Sequence, residues 1–445
     1  MNTTLGFAAA LARRAESKGP IRIGLAGAGQ MGTDIVVQCG LMTGVTVAAV
    51  AELHAETALA ACELAGWRRA EVVRAESGAA IDAAAERGAI AVTESVEALC
   101  AASRLDVIVD ATGNPGVGTQ LALSAIRAGK HVVMLNVEAD ITVGRYLKQA
   151  ADAAGVIYTG AAGDEPAAVL ELIGFAQSLG LEIVAAGKGK NNPMQPQAVP
   201  ADYAEEAATR DMSPRMLVEF VDGSKTMIEM TAVANATGLV PDVPGMHGPA
   251  VSAQDLAQVL CPGEDGGILS QAGCVDFSVG SGVAPGVFCI VRPRHPRIAE
   301  RLSDLKVGPG PCYALVRPYH LTSIEVPLTA ARAVLDGRPD MTPLDRPVAD
   351  CVAVAKRDLT PGERLGQIGE GDYRGLIMTW DAARARGALP LGLAEGARVQ
   401  APIPAGTCLT ETTCTADPDR LITAVRRELD SQNVAGGPSA AAAAR

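Results

Sequence analysis

The chain has 445 residues, a net charge of −12 and a pI near 5. That length predicts two or three domains. An acidic chain with 3% aromatic residues lacks the basic face and stacking platforms of nucleic-acid binders, so we expect no nucleic-acid partner. No stretch of about 18 uncharged apolar residues predicts a membrane span. The ten cysteines show neither a CxxC pair nor zinc-ligand spacing, which predicts free thiols in a cytoplasmic protein.

The first 160 residues alternate short apolar runs with helical stretches. We predict strands at 21–26, 45–50, 89–92, 106–110, 131–136 and 156–159. This alternation is typical of βαβ units in a doubly wound parallel sheet. We therefore expect an α/β chain whose residues 1–160 form a Rossmann domain.

A glycine-rich turn joins the first predicted strand to the first helix of that domain. Gly27, Gly29 and Gly32 form a GxGxxG pattern, with Gln30 and Met31 opening the helix. The first glycine allows the tight turn, the second lets a pyrophosphate approach, and the third allows close helix packing. The unpaired N–H groups of the helix N-terminus would hold the pyrophosphate, which predicts a dinucleotide site.

Three further positions complete the predicted cofactor site. Glu52 ends the second strand, where a carboxylate binds ribose hydroxyls and favours NADH, although NADPH stays open. Thr112 and Gly113 follow the DVIVD strand, where a loop of small residues would let the nicotinamide ribose pass, unless it is an ordinary turn. Asn136 ends the next strand and joins this group.

The rest of the chain divides into three regions that differ in composition and predicted secondary structure. We predict that residues 161–345 form an α+β substrate domain. We also expect a homo-oligomer and assign its subunit contacts to this domain. Residues 346–430 resemble the SAF module, a small β-clip fold, through Asp358, Leu359, Gly362 and Leu365. Residues 431–445 are rich in Ala and Gly and predict a disordered tail.

Three motifs carry a family resemblance over roughly residues 20–430. They are NVEAD at 136–140, GDEPAA at 163–168 and GKGKNNP at 187–193. With the C-terminal module, they resemble the SAF-containing branch of the homoserine dehydrogenase superfamily, close to 1-deoxy-D-xylulose 5-phosphate reductoisomerase-like proteins. The Asn-Lys pair of true homoserine dehydrogenases is absent, because Val137 and Glu138 follow Asn136. The resemblance implies a sugar-like substrate, rearrangement followed by hydride transfer from NADPH, and a divalent cation.

Two lysines stand in a glycine-rich loop that follows a strand. Lys188 and Lys190 could hold a phosphate or polarise a carbonyl, and we interpret both as catalytic. Asn191 and Asn192 would orient substrate hydroxyls. The alternative is a pair of solvated surface lysines beside a simple turn.

Acids follow the last strand of the first domain. With Glu138, Asp164 and Glu165 offer carboxylates to a hard cation such as Mg²⁺ or Mn²⁺. We assign Asp164 and Glu138 as metal ligands and Glu165 as a catalytic residue. Alternatively, Asp164 is the N-cap, and Glu165 a first-turn acid, of the helix at Pro166.

The RPYHL segment adds two candidates. Arg317 suits bidentate binding of a phosphate, and His320 suits proton transfer, in a loop ahead of a predicted strand at 323–327. A surface arginine and a satisfied histidine are the alternative.

Three functions remain open from the sequence. The first is an NAD(P)H-dependent reductoisomerase-like enzyme that forms 2-C-methyl-D-erythritol 4-phosphate for isoprenoid synthesis, as the resemblance implies. The second is an NAD(P)-dependent dehydrogenase of sugar-acid or polyol catabolism. The third is a non-catalytic regulatory protein that binds a dinucleotide or a sugar.

Overall fold

The computed structural model describes residues 4–210 and 212–435. Its first sheet has seven parallel strands in the order β3-β4-β2-β1-β5-β6-β7. These strands are β1 (Ile21–Ala26), β2 (Val45–Ala51), β3 (Val72–Arg74), β4 (Ile90–Thr93), β5 (Val107–Asp110), β6 (His131–Met134) and β7 (Tyr158–Gly160). The doubly wound prediction is confirmed. The edge strand β3 was not predicted, because three residues are too short for a pattern of alternation.

Among the described residues, seven helices accompany the strands of this first sheet. They are α1 (Gly6–Lys18), α2 (Gln30–Leu41), α3 (Ala55–Leu64), α4 (Gly78–Glu86), α5 (Val96–Ala101), α6 (Pro115–Arg127) and α7 (Val137–Ala154). The sheet is almost wholly buried, as runs of Val, Ile and Ala require when helices cover both faces.

The middle of the chain forms a five-stranded mixed sheet in the order β12-β11-β8-β10-β9. Its strands are β8 (Glu182–Gly189), β9 (Val240–Pro241), β10 (Cys274–Ser278), β11 (Val287–Arg292) and β12 (Tyr313–Arg317). The helices here are α8 (Glu165–Ser178), α9 (Ala204–Thr209), α10 (Pro214–Val221), α11 (Ser224–Thr237), α12 (Leu256–Val259), α13 (Pro296–Asp304) and α14 (Val326–Leu335). The predicted strand at 323–327 is wrong, because a 3₁₀ turn at Thr322–Ile324 leads directly into α14.

After β12 the chain returns to the first sheet. α14 packs against α2, β1, β5 and β6. The Gly160 N–H donates to Met341 O at 2.8 Å, and the Thr159 hydroxyl accepts from the Asp340 N–H at 2.9 Å. The segment up to residue 345 therefore contacts both sheets rather than the middle one alone.

The described C-terminal part, residues 346–435, contains two small antiparallel sheets and two helices. The elements are β13 (Ala349–Ala355), β14 (Tyr373–Thr379), α15 (Trp380–Ala385), β15 (Arg398–Val399), β16 (Cys414–Thr415) and α16 (Leu421–Ala435). Leu359 and Ile403 exchange two backbone hydrogen bonds, at 2.9 and 3.0 Å, so the segment that carries the SAF-like motif pairs with the segment around Ile403. α16 packs on α6 and α7 and continues into the predicted tail as far as Ala435, while residues 436–445 lie outside the described residues.

Two sequence predictions concerned free thiols and the absence of a membrane-spanning segment. All ten cysteines are free, and nine are buried, which confirms the prediction of unpaired thiols. Among the described residues, no helix has the length and apolar character that crossing a bilayer requires.

Candidate functional site

The glycine turn lies between β1 and α2. A Cβ on Gly32 would lie 2.0 Å from Gly27 O, and one on Gly27 would lie 2.6 Å from Ala111 O, so both positions exclude a side chain. A Cβ on Gly29 meets no described atom within 4 Å. The first and third glycines are therefore needed by the fold, whereas Gly29 borders open space, where a pyrophosphate could approach the backbone. Gln30 and Met31 form the first turn of α2.

Glu52 is tied to this turn. Its Oε2 accepts from the Ala28 N–H at 2.6 Å, and its Oε1 accepts from the Leu53 N–H at 2.8 Å. The carboxylate therefore holds the end of β2 against the glycine turn. It stays beside the position where the ribose of a dinucleotide is expected.

The Asn136 side chain makes hydrogen bonds that stabilise the fold. Its amide donates to Asp110 Oδ2 at 3.0 Å and to Asn114 O at 2.8 Å, while its Oδ1 accepts from the Ala139 N–H and caps α7. Burial raises the pKa of Asp110 to about 6, against hydrogen bonds from Thr112 and Asn136. This network fixes the loop of Thr112 and Gly113 beside the ends of β5 and β6.

A buried ion cluster lies where the two sheets meet. The Lys188 ammonium at the end of β8 lies 2.6 Å from Glu165 Oε1 and also contacts Glu229 Oε2 of α11. His320 Nε2 lies 3.4 Å from Glu165, and His320 Nδ1 lies 2.9 Å from Gly163 O. Burial opposes ionisation of Glu165, but Lys188 and His320 lower its pKa to about 2. The structure thus brings together three of the four predicted catalytic residues and adds Glu229.

Asp164 enters the same cluster from the start of α8. It occupies the N-cap position, yet its side chain makes no capping hydrogen bond to the described residues. Burial raises the pKa of Asp164 well above its usual range; Lys225 opposes this shift, while Glu165 and Glu229 reinforce it. Burial and the neighbouring acids thus favour the protonated form of the Asp164 carboxyl group.

Lys225 and Glu229 are functional candidates that the sequence reasoning missed. They lie one turn apart on α11, and the Lys225 ammonium is 3.0 Å from Glu138 Oε1. Burial opposes the charge of Lys225, but Glu138, Asp164 and Glu229 raise its pKa well above its usual value. Two charges spaced i, i+4 within an otherwise uncharged helix were the available signal. Lys225 thus places an ammonium group against Glu138 of α7, the helix that Asn136 caps.

The remaining predicted residues lie around this cluster. Lys190 is 6% exposed and donates to Asn192 O at 2.7 Å, while Asn191 is exposed. Arg317 is held by Glu171 at 2.7 Å and Glu325 at 2.5 Å. Those two carboxylates balance its charge, and the role of Arg317 in binding substrate stays a prediction.

The carboxylates allow a test of the predicted metal site. Asp164, Glu165 and Glu229 can place one oxygen each within 4.8 Å of one another, and Glu229 Oε1 has no hydrogen-bond partner in the described part of the chain. Donor type and spacing fit Mg²⁺ or Mn²⁺. Glu138 lies outside this group, so Glu229 replaces it in the predicted ligand set. A cation held here would compete with Lys188 for Glu165 and Glu229.

The glycine turn and the ion cluster share one edge. β1 and β7 are three positions apart in the sheet, roughly 15 Å at the usual strand spacing. The Ser323 hydroxyl donates to Asp34 Oδ2 of α2 at 2.9 Å, and the neighbouring Thr322 N–H donates to Gly163 O at 2.9 Å. One short segment thus links the helix after the glycine turn to the loop before Asp164.

Two family models match the chain. Residues 27–159 match "Homoserine dehydrogenase, NAD binding domain", and residues 163–326 match "Oxidoreductase DRL, catalytic domain". Each model matches less than half of the chain, and together the two matched regions show similarity to an NAD-binding domain followed by an oxidoreductase catalytic domain. No curated protein matches the chain.

Solved structures were also compared. A "probable dehydrogenase" from Thermotoga maritima is 14% identical, with 72% of this chain and 90% of that chain covered and a TM-score of 0.42. The scyllo-inositol dehydrogenase from Lactobacillus casei with NAD(H) and scyllo-inositol is 13% identical, with the same coverage and a TM-score of 0.38. We draw no conclusion about the substrate from these likenesses.

Proposed function

We propose that this chain is an NAD(P)-dependent dehydrogenase or reductase of a small hydroxylated substrate, such as a sugar acid or polyol. The observation that carries this proposal is the Lys188 ammonium held between Glu165 and Glu229 at the edge where the first sheet presents its carboxyl ends. Ligands of open α/β sheets bind at that edge. A bound nicotinamide would supply or accept the hydride.

The protein's own residues would handle the oxygen and its proton. Lys188 stays charged, since Glu165 and Glu229 raise its pKa although burial opposes them. Its ammonium can polarise a carbonyl and stabilise the alkoxide that forms. Asp164, whose pKa is raised by burial, would donate a proton to that oxygen on reduction and take it back on oxidation.

Two features favour this reaction over a rearrangement of a sugar phosphate. Lys188 already supplies positive charge to two of the three carboxylates, and Arg317 is paired with acids. A reductoisomerase-like reaction is the second candidate, because the Asp164, Glu165 and Glu229 oxygens suit a divalent cation that would hold vicinal oxygens.

The cofactor site is tested by substituting one glycine. Gly29→Ala should fold normally, because its Cβ meets no described atom, but the methyl group would occupy the path of the pyrophosphate. We expect NADH affinity to fall about tenfold or more, roughly 1.4 kcal/mol, in a fluorescence titration. Gly40→Ala lies in the same helix, where the nearest atom to the new Cβ is 3.8 Å away, and should bind normally. Equal binding by both variants and the parent would contradict the site.

The two reactions are separated by their products. Purified enzyme is supplied with NADPH or NADH, sugar acids, polyols and ketose phosphates, with and without Mn²⁺. Oxidation or reduction without a change of carbon skeleton supports the dehydrogenase. A branched polyol phosphate formed only with Mn²⁺ supports the second candidate. Dinucleotide binding without turnover of any compound favours the regulatory protein.

A further inference from the structure

Two cations beside the start of α11 have no acidic partner. Lys190 is 6% exposed, and its ammonium donates only to Asn192 O. Arg374, half-buried on β14, donates only to Gly375 O, at 3.3 Å. Within residues 4–210 and 212–435, neither forms an ion pair with a carboxylate. A guanidinium group has five N–H donors, so most of those on Arg374 remain available.

The charges around them are unbalanced. Asp222 is the acid that acts on both, but its Oδ2 already lies 2.6 Å from the buried Lys356 ammonium. Burial lowers the pKa of Lys190 to about 8, and the charge of Lys188 adds to this shift. Burial also lowers the pKa of Arg374. In both residues, the charge of Asp222 opposes the lowering of the pKa. Three cations therefore share one carboxylate. Excess buried charge is costly unless a counter-charge joins it.

The two cations come from different parts of the chain, and the same carboxylate, Asp222 beside the start of α11, acts on both. Lys190 follows β8, two residues after Lys188. Arg374 precedes Gly375, whose N–H donates to the Ser224 hydroxyl at 2.8 Å, and the Ser224 N–H donates to Asp222 at 2.7 Å. The C-terminal domain thereby brings a cation to the start of the helix that carries Lys225 and Glu229.

We propose that Lys190 and Arg374 form an anion-binding subsite for a carboxylate or phosphate group of the substrate, whose reacting oxygen lies at Lys188. The assignment to a substrate rests on the proposed function, whereas anion binding does not. This pair takes the role that sequence analysis gave to Arg317. It also makes the C-terminal domain a determinant of specificity.

Anion binding can be measured directly on the full chain. Inorganic phosphate and, separately, acetate are titrated calorimetrically, with the glycine turn saturated by NADH or left free. Arg374→Gln and Lys190→Met should each weaken binding of the preferred anion at least tenfold. Arg398→Gln, an exposed strand arginine of the same domain, should leave it unchanged. Affinity should also fall as the pH rises through about 8, because Lys190 loses its charge.

Thermal stability provides a second readout. Each variant removes a buried charge without an acidic partner, so we expect the melting temperature to rise, opposite to the effect of deleting a structural residue. Preference for acetate identifies a carboxylate substrate, and preference for phosphate a phosphorylated one. Failure of both anions to bind, or equal binding by all variants, overturns the subsite. Loss of NADH binding alone would remove the proposed function and leave this result intact.

Discussion

Asp164 occupies the N-cap position of α8, but its side chain does not cap this helix among the described residues. The N-cap position usually uses an aspartate to accept from the first turn of its helix, but here Pro166 lacks one of the N–H groups of that turn. The carboxyl group instead faces Glu165, Glu229 and Lys225. Burial and the neighbouring acids raise the pKa of this carboxyl group.

Replacing that carboxyl group separates catalysis from stability. Asp164→Asn keeps the volume but removes the transferable proton, so we expect turnover to fall by roughly 10²–10⁴, the usual contribution of a general acid. Unfolding in urea should change little or become harder, because no capping bond is lost. Asp255→Asn, at the exposed N-cap of α12, is the matched control and should turn over normally. Undiminished activity of Asp164→Asn would exclude it as proton donor.

At the scale of the element, α7 carries a second buried acid. Asp140 Oδ1 accepts from the Tyr158 hydroxyl at 2.7 Å. Burial raises the pKa of Asp140 to about 6, although this hydrogen bond opposes the shift. The folded protein therefore keeps a proton that the unfolded chain releases near pH 4.

The sign of the resulting pH dependence follows from proton linkage. Because the folded pKa lies above the unfolded one, this stabilisation is complete below about pH 4 and is lost as the pH rises to about 6. The free energy of unfolding of Asp140→Asn, relative to the parent, should rise by roughly 2–3 kcal/mol between pH 4 and pH 7. Asp152→Asn, in an exposed pair with Lys148 on the same helix, should show little such change. Parallel curves for Asp140→Asn and the parent would refute the raised pKa.

At the scale of the whole molecule, one buried ion pair joins the C-terminal domain to the site. Lys356 lies 2.6 Å from Asp222 and donates to Ala198 O at 2.9 Å and Glu370 O at 2.7 Å. Since Asp222 also accepts from the Ser224 N–H, this pair holds the start of α11. The position of Lys225 and Glu229 therefore depends on the C-terminal domain.

Breaking this pair should be costly, and removing both charges much less so. Lys356→Met leaves a buried carboxylate without its partner, which typically costs roughly 3–5 kcal/mol of unfolding free energy. The double variant Asp222→Asn/Lys356→Met should recover most of that loss in urea titrations. Arg364→Met breaks the exposed pair with Asp417 and should cost no more than about 1 kcal/mol. A loss for Lys356→Met as small as that for Arg364→Met would contradict this coupling.

The formation of a homo-oligomer, which we expect from the sequence, stays a prediction.

Local pattern was enough to determine the first sheet, apart from its edge strand β3, and the glycine turn. Buried parallel strands appear in the sequence as continuous apolar runs. Only glycine fits at positions 27 and 32, so the residue type at these positions reports the backbone geometry directly. Lys188, Glu165 and His320 were also found, because each stands beside a strand end or in a short polar motif.

Tertiary structure alone decided which charges meet. Glu229, Lys225 and Arg374 lie on a helix and a strand far from the motifs, and no local rule links them to Lys188 or Lys190. Sequence likewise could not reveal that Arg317 is paired with Glu171 and Glu325, since those partners come from other elements. Charge pairing acts through space at a few ångströms, so the roles of these residues were determined only when the two sheets and the C-terminal domain packed together.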